Sequence, residues 1–243
     1  MLAWYLISQK QMIRKIDIAF ATGGTGGHAY PVVALIQELT DVSALCLCTE
    51  NREDVNIVRK HKLVYLKIPF SKKNILKLIK GFFKARNILK HYQVKALVSS
   101  GSANTVMIAI AAYSLRVPII LLEQNTIPGR TNRLLEKLSK KILVSFEESK
   151  KFFSANKAIF TGNPIRKVFL EDKYYKAFQK IKLSSSETIL VFGGSQGALA
   201  INKIIYENYS YFLKKYNIIH LTGESFYKSK FREGPFEIIK EKN

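Results

Sequence analysis

At 243 residues, 47% of them hydrophobic, the chain can hold one large core or two modest ones. Its formal charge of +21, from 39 Lys and Arg against 18 Asp and Glu, points to an anionic partner: nucleic acid, an anionic membrane surface or a phosphorylated substrate. The two cysteines, Cys46 and Cys48, stand two apart without a neighbouring His, which excludes a disulfide framework and a zinc site and suits a reducing cytosol.

Met1 to Ile7 is apolar but too short to span a bilayer. Its basic residues (Lys10, Arg14, Lys15) follow the apolar run, the wrong order for a secretory signal. Residues 1–11 are therefore an N-terminal extension, with Met12 as an alternative start. No other stretch approaches a spanning length, so the expectation is a protein that is soluble or bound to a membrane surface.

Ile16 to Phe20 is of strand type, and Ala-Thr-Gly-Gly-Thr-Gly-Gly-His-Ala-Tyr-Pro follows at 21–31. Val33, Ile36 and Leu39 then recur at helical spacing within Val32–Leu39. Strand, glycine loop and helix in that order form the phosphate-handling corner of a doubly wound sheet. Glycines permit positive φ and close ligand approach, and the helix N-terminus offers N–H groups to an anion. The spacing is neither G-x-x-x-x-G-K-[ST] nor a clean G-x-G-x-x-G. His28, at the end of the loop, suits a general base or a hydroxyl-positioning group; a structural cap is the alternative.

Ser43–Cys48 and Leu63–Ile68 read as the next strands, with a polar helix at Arg52–His61 between them. Alternation of strands and helices argues for a mostly parallel α/β sheet. Ser71–Lys95 then carries eight Lys and Arg and no acid, interleaved with Ile75, Leu76, Leu78, Ile79, Phe82, Phe83, Ile88 and Leu89. That is more apolar surface than one side of a sheet needs. A basic helix of this kind is a membrane-surface element, with Lys77, Lys80, Phe82, Phe83 and Lys84 as its candidate contacts. A crossover helix with merely solvated lysines is the alternative. Nucleic acid would favour basic residues interleaved with polar and aromatic ones, and is not expected as a partner.

Ala96–Ser99 is a strand leading into Ser100 to Asn104, followed by an apolar helix at Ile108–Leu115. Val117–Leu122 is a buried-type strand that delivers Glu123 to Gly129 at its carboxyl end, where open α/β sheets bind ligands. A basic helix at Thr131–Lys141 and a strand at Lys141–Ser145 complete this run. Thr161 to Arg166 breaks the periodicity, and a Lys-rich stretch follows to about Lys182. The opening pattern then recurs: strand Thr188–Phe192, loop Gly193–Gly197, one long helix Ala198–Lys215 and a further strand Asn217–Leu221. A second α/β domain is expected, with its sheet unfinished at Asn243.

Four motifs stand in order: Gly-Gly-Thr-Gly-Gly-His at 23–28, Glu-Gln-Asn-Thr-Ile-Pro-Gly-Arg-Thr-Asn at 123–132, Gly-Asn-Pro-Ile-Arg at 162–166 and Gly-Gly-Ser-Gln-Gly-Ala at 193–198. Together they resemble the MurG family of bacterial UDP-N-acetylglucosamine:lipid I transferases, over roughly residues 12–225. The resemblance implies a GT-B fold of two Rossmann-like domains: an acceptor- and membrane-binding domain at 12–162, a linker at 163–186 and a donor-binding domain at 187–243. It implies an inverting transfer of N-acetylglucosamine from UDP-GlcNAc to the C4 hydroxyl of the muramyl sugar of lipid I, making lipid II for the cell wall. No cofactor and no metal are expected, and the place of work is the cytoplasmic face of the inner membrane, peripherally attached.

Carried over position by position, Thr25, Gly26, Gly27, Asn125, Arg166 and Ser195 match contacts to the UDP-sugar. Gly193, Gly194, Gln196 and Gly197 complete the phosphate loop, and His28 and Glu123 match polar positions near the acceptor cleft as candidate catalytic groups. Two departures stand out. The family's Gly-Gly-Tyr after the fourth strand is Gly101-Ser102-Ala103 here, so an acceptor-side tyrosine is absent. The family also continues beyond the length of this chain, so residues 187–243 are expected to be an incomplete domain that a complementary C-terminal chain could complete. The alternative function is an inactive membrane-surface module that binds the acceptor only.

Overall fold

The computed structural model describes residues 15–50, 52–170, 187–194 and 197–223. The chain divides into two compact units, Met1–Glu171 and Asp172–Asn243.

In the first unit, seven strands form one sheet: Ile18–Ala21 (β1), Ala44–Thr49 (β2), Tyr65–Ile68 (β3), Ala96–Ser99 (β4), Ile119–Glu123 (β5), Lys141–Val144 (β6) and Ala158–Phe160 (β7). The order is β3-β2-β1-β4-β5-β6-β7, and every pairing is parallel. Helices Gly26–Glu38 (α1) and Glu53–Lys60 (α2) make the crossovers on one side of β1; Ile75–His91 (α3), Val106–Ser114 (α4) and Arg130–Leu135 (α5) make those on the other.

Side chains alternate through the sheet as a strand's period of two requires. Ala19, Ala21, Leu45, Leu47, Leu97 and Leu121 pack toward Ala85, Leu89, Ile108 and Leu135 on one face. Phe20, Cys46, Cys48, Val98 and Leu122 pack toward Val32, Val55 and Val58 on the other. Both faces are covered, so the central strands β1, β2, β4 and β5 are apolar up to their last residues. Each large side chain buried this way contributes about 1.5–3 kcal/mol. Cys46 and Cys48 are free thiols in the second layer, and burial pushes Cys48 up to about 12 and Cys46 well above its ordinary value.

The first helix begins at Gly26, not at Val32 as the apolar spacing suggested. Gly23 and Gly24 take φ of +81° and +85° and complete the turn by themselves, which frees Gly26 and Gly27 to start the helix. Residues 131–141 are likewise not one helix: α5 ends at Leu135 and a 3₁₀ turn covers Glu136–Leu138.

The second unit has a two-stranded parallel sheet, Thr188–Phe192 (β8) with Asn217–Leu221 (β9). The long helix expected at 198–215 is two helices, Leu199–Glu207 (α6) and Tyr209–Phe212 (α7). Asn208 breaks it: its side-chain amide donates to the Ile204 carbonyl at 2.8 Å, the back-bonding by which Asn competes with helical hydrogen bonds.

Candidate functional site

β1 and β4 are neighbours whose crossovers leave in opposite directions, and a crevice opens at their carboxyl ends. It holds a cavity of about 370 Å³. Three segments wall it: the glycine loop with His28, the turn Gly101–Asn104 after β4, and the loop Glu123–Asn132 after β5. Arg52 and Lys72 reach it from the loops after β2 and β3.

The glycine loop is braced from behind. Asp54, wholly buried, accepts from the Thr22 hydroxyl at 2.7 Å and from the backbone N–H groups of Gly24, Thr49 and Val55 at 2.9–3.1 Å. Ser102 Oγ donates to the Gly23 carbonyl at 2.7 Å. A side chain on Gly23 would press on Ser100, His28 and Ser102, so only glycine fits there. Gly26 is buried, and nothing lies within 4 Å of the position of a side chain on Gly27, which is exposed.

His28 is half-buried, and its Nδ1 lies 2.7 Å from the Ser100 carbonyl. A carbonyl can only accept, so Nδ1–H is the donor, and in the neutral ring Nε2 is the basic nitrogen. That is the tautomer of a general base.

Glu123 is differently placed from a catalytic acid or base. It is 1% exposed, and each carboxylate oxygen already accepts twice. Oε1 takes the backbone and side-chain N–H groups of Asn125, both at 2.9 Å. Oε2 takes the Gly129 N–H at 3.0 Å and Asn132 Nδ2 at 2.9 Å. The carboxylate shapes the loop that carries Asn125.

Of the other expected contacts, Thr25 and Asn125 line the cavity. Arg166 does not: its guanidinium stacks 4.2 Å over the Tyr30 ring and 4.7 Å from the Phe169 ring, against α1. Sequence reading missed Asp54, Asn132, Arg52 and Lys72 as parts of the site. Arg52, Asp54 and Lys72 follow the carboxyl ends of β2 and β3, where the rule that singled out Glu123–Gly129 applied equally, whereas Asn132 returns to the site from α5.

In the second unit, Gly194 and Gly197 take φ of +82° and +74°, and the Gly197 N–H closes a turn onto the Gly194 carbonyl at 3.0 Å. A side chain on Gly197 would run into the Thr222 carbonyl. Asn202, 1% exposed, donates to that same carbonyl at 2.6 Å. Ser195 and Gln196 lie outside the described residues.

On α3, Asn74 caps the helix by accepting from the Lys77 N–H at 3.1 Å. Ile75, Leu76, Ile79 and Phe83 form an exposed apolar strip, Phe83 at 56%, with Lys77 and Lys80 exposed beside it. Phe82 departs from the expected membrane face: it is half-buried and packs against the core. Lys84 pairs loosely with Glu50 at 3.8 Å. Among the described residues, no helix is long and apolar enough to cross a membrane.

The N-terminal domain of glycosyltransferase family 28 matches residues 18–144, and the C-terminal domain of that family matches residues 188–237. The chain belongs to glycosyltransferase family 28. It is similar to the UDP-N-acetylglucosamine--N-acetylmuramyl-(pentapeptide) pyrophosphoryl-undecaprenol N-acetylglucosamine transferase of Bacillus pumilus (strain SAFR-032), 32% identical over 89% of this chain and 64% of that protein. The protein of the same name from Caldicellulosiruptor saccharolyticus is 36% identical over 79% of this chain and 56% of its own length. The crystal structure of Acinetobacter baumannii MurG matches with a TM-score of 0.65 at 23% identity, over 88% of this chain and 60% of that one. The likeness read from four motifs therefore stands, as does the α/β fold of the GT-B type. This family 28 chain spans about 64% of the length of the Bacillus relative.

Proposed function

We propose that the chain takes part in transferring N-acetylglucosamine from UDP-GlcNAc to the C4 hydroxyl of the muramyl sugar of lipid I, with inversion, to give lipid II. The observation that carries this reading is the His28 tautomer: the Ser100 carbonyl holds Nδ1–H, and Nε2 is left to take a proton. His28 removes the hydroxyl proton as the oxygen attacks the anomeric carbon of the donor. The bond from that carbon to the diphosphate breaks, and UDP leaves with the negative charge. In the second unit, the loop Gly193–Gly197, with Ser195 and Gln196, and the N-terminus of α6 stabilise a phosphate charge. Thr25, Gly26, Gly27, Asn125 and Arg166 contact the UDP-sugar, Arg166 after leaving its stack on Tyr30. Glu123 acts as a positioning residue by fixing the loop of Asn125. The exposed strip of α3 and its lysines hold the protein on an anionic membrane, at the cytoplasmic face of the inner membrane where the lipid-linked acceptor is found.

Transfer of radiolabelled GlcNAc to a lipid I analogue tests this. His28→Ala should lower turnover about 10²- to 10⁴-fold with acceptor affinity unchanged. A loss below threefold would return His28 to a structural role, and acceptor binding without any transfer by the unaltered chain would favour a binding module.

A further inference from the structure

A second cavity, of about 470 Å³, opens at the other end of the sheet, where β5 and β6 begin. The turn from α4 into β5 supplies Tyr113, Arg116 and Pro118 to its wall, and the 3₁₀ turn before β6 leads into Leu138, Ser139 and Lys140 on the facing side. It shares no residue with the crevice at the carboxyl ends of the strands. Among the described residues, no acid lines it.

Its two cations are spare. Arg116 and Lys140 are exposed, and neither side chain makes an ion pair among the described residues. Basic residues beside a helix end often serve its last carbonyls, but those of α4 are already met. The Ala112 carbonyl accepts from the Leu115 and Val117 N–H groups, both at 3.0 Å, and the Tyr113 carbonyl from the Arg116 N–H at 2.9 Å. The Ser114 hydroxyl donates to the Ala111 carbonyl at 2.8 Å. Across the cavity, the Lys140 N–H donates to the Ile119 carbonyl at 2.8 Å. Ser139, 5% exposed, commits its only hydroxyl proton to the Glu136 carbonyl at 2.8 Å. The charge of an anion in this cavity is therefore met by the Arg116 and Lys140 side chains, which repel each other until one enters.

Two cations match a phosphate monoester, which carries about 1.5 to 2 negative charges near pH 7, and a guanidinium fork can grip two of its oxygens at once. The rest of the wall is apolar: Val117, Pro118, Leu138 and the ring of Tyr113, which is 56% exposed. The volume exceeds what a lone phosphate fills. We infer that this cavity binds a phosphate monoester carried on a small apolar body, either the headgroup phosphate of a lipid or a free phosphate ester. The inference is independent of the transferase reading of the crevice.

Titration of the isotope-labelled chain with phenyl phosphate and with dihexanoyl phosphatidic acid, followed through its amide NMR shifts, tests this. The amides of Arg116, Val117, Ile119, Ser139 and Lys140 should move, and the probe that binds more tightly names the source, a free ester or a lipid headgroup. Phenol and dihexanoylglycerol, the same bodies without phosphate, should leave those amides in place. Arg116→Gln with Lys140→Gln should weaken binding by about ten- to a hundredfold, the weight of one to two charge-assisted contacts. Lys60→Gln with Lys62→Gln, a removal of two cations elsewhere, should change it little. Equal melting temperatures establish that the variants fold. Amides that stay in place with both phosphate probes overturn the site, as do shifts confined to the loops of the crevice. Equal movement with the neutral bodies, or a double variant at Arg116 and Lys140 that binds as tightly as the unaltered chain, overturns the phosphate as its ligand.

Discussion

The two glycine loops look alike as sequence, each a strand, a run of glycines and a helix, yet they are held in different ways. The first follows β1, an interior strand with neighbours on both sides, and three of its four residues are buried. Its shape is imposed by long-range side chains: Asp54 is 30 residues from Gly24, and Ser102 is 79 from Gly23. The second follows β8, whose residues alternate between exposed and half-buried. Its shape comes from backbone contact, Gly197 against the Thr222 carbonyl, with Asn202 tying the same carbonyl to α6. One motif thus serves a loop braced by buried polar groups and a loop braced by close packing. The first is vulnerable to loss of charge or hydrogen bonds, the second to added volume.

The largest difference between the units lies in the surface they present. Only the first carries the basic apolar strip of α3, and each basic residue near an anionic surface contributes about 1 kcal/mol. Reversing Lys77, Lys80 and Lys84 to Glu removes three attractions and adds three repulsions of similar size, so vesicle affinity should fall by about 10⁴-fold. Co-sedimentation with anionic vesicles measures it. Undiminished binding would make these lysines a solvated face.

Next in size is Asp54. Asp54→Ala strands the Thr22 hydroxyl and three backbone N–H groups in the core, and should destabilise the first unit by about 3–5 kcal/mol. Asp54→Asn preserves the shape and most acceptor contacts, and should cost about 1–2 kcal/mol. Denaturant unfolding compares the two; equal losses would mean that volume, not hydrogen bonding, braces the first loop. Gly197→Ala probes the other loop. Its φ of +74° and the Thr222 carbonyl both oppose a methyl group, for about 1–3 kcal/mol confined to the second unit. Hydrogen exchange at β8 and β9 should quicken while β1 is unaffected. Protection unchanged at β8 would show that the loop has room to shift.

How much of this was visible in the sequence follows from the same contrast. Local signals served well: β4 falls at Ala96–Ser99 as expected, and the glycine loop and His28 lie where a doubly wound sheet needs them. Long-range side-chain partners were invisible. Nothing near Asp54 announces that it bonds to Thr22, and nothing near Glu123 reveals four donors folding back on it. The inward face of α3 was misjudged for a packing reason. Gly81, Ala85 and Leu89 recur every four residues and let the helix lie close to the sheet, but small residues give a weak hydrophobic signal. Phe82 and Phe83 are adjacent and equally apolar in sequence, and only Phe83 faces out. β7 was missed because three residues, two of them exposed, give no pattern to read.

The smallest effect is a pH dependence centred on His220 in the second unit. In the second unit Asn202 Nδ2 is committed to the Thr222 carbonyl, so its Oδ1 must accept from His220 Nε2–H at 3.0 Å. His220 Nδ1 then accepts from the Tyr209 hydroxyl at 2.6 Å. The neutral ring fits this chain, and burial holds His220 below the ordinary histidine range. Its unfolded form binds a proton more readily than its folded form, so stability rises with pH through that window. The contribution is present above the unfolded value of about 6.5 and is lost as pH falls from there through the folded value. His61 in the first unit has the same sign, lowered by burial, then by Arg166 and Lys60. Protection of the Leu190 and Ile219 amides should therefore decline between pH 7.5 and 5.5, and His220→Gln should flatten that decline without altering the trend at β1. A variant whose β8 protection falls as steeply as that of the unaltered chain would remove His220 as the cause of the decline.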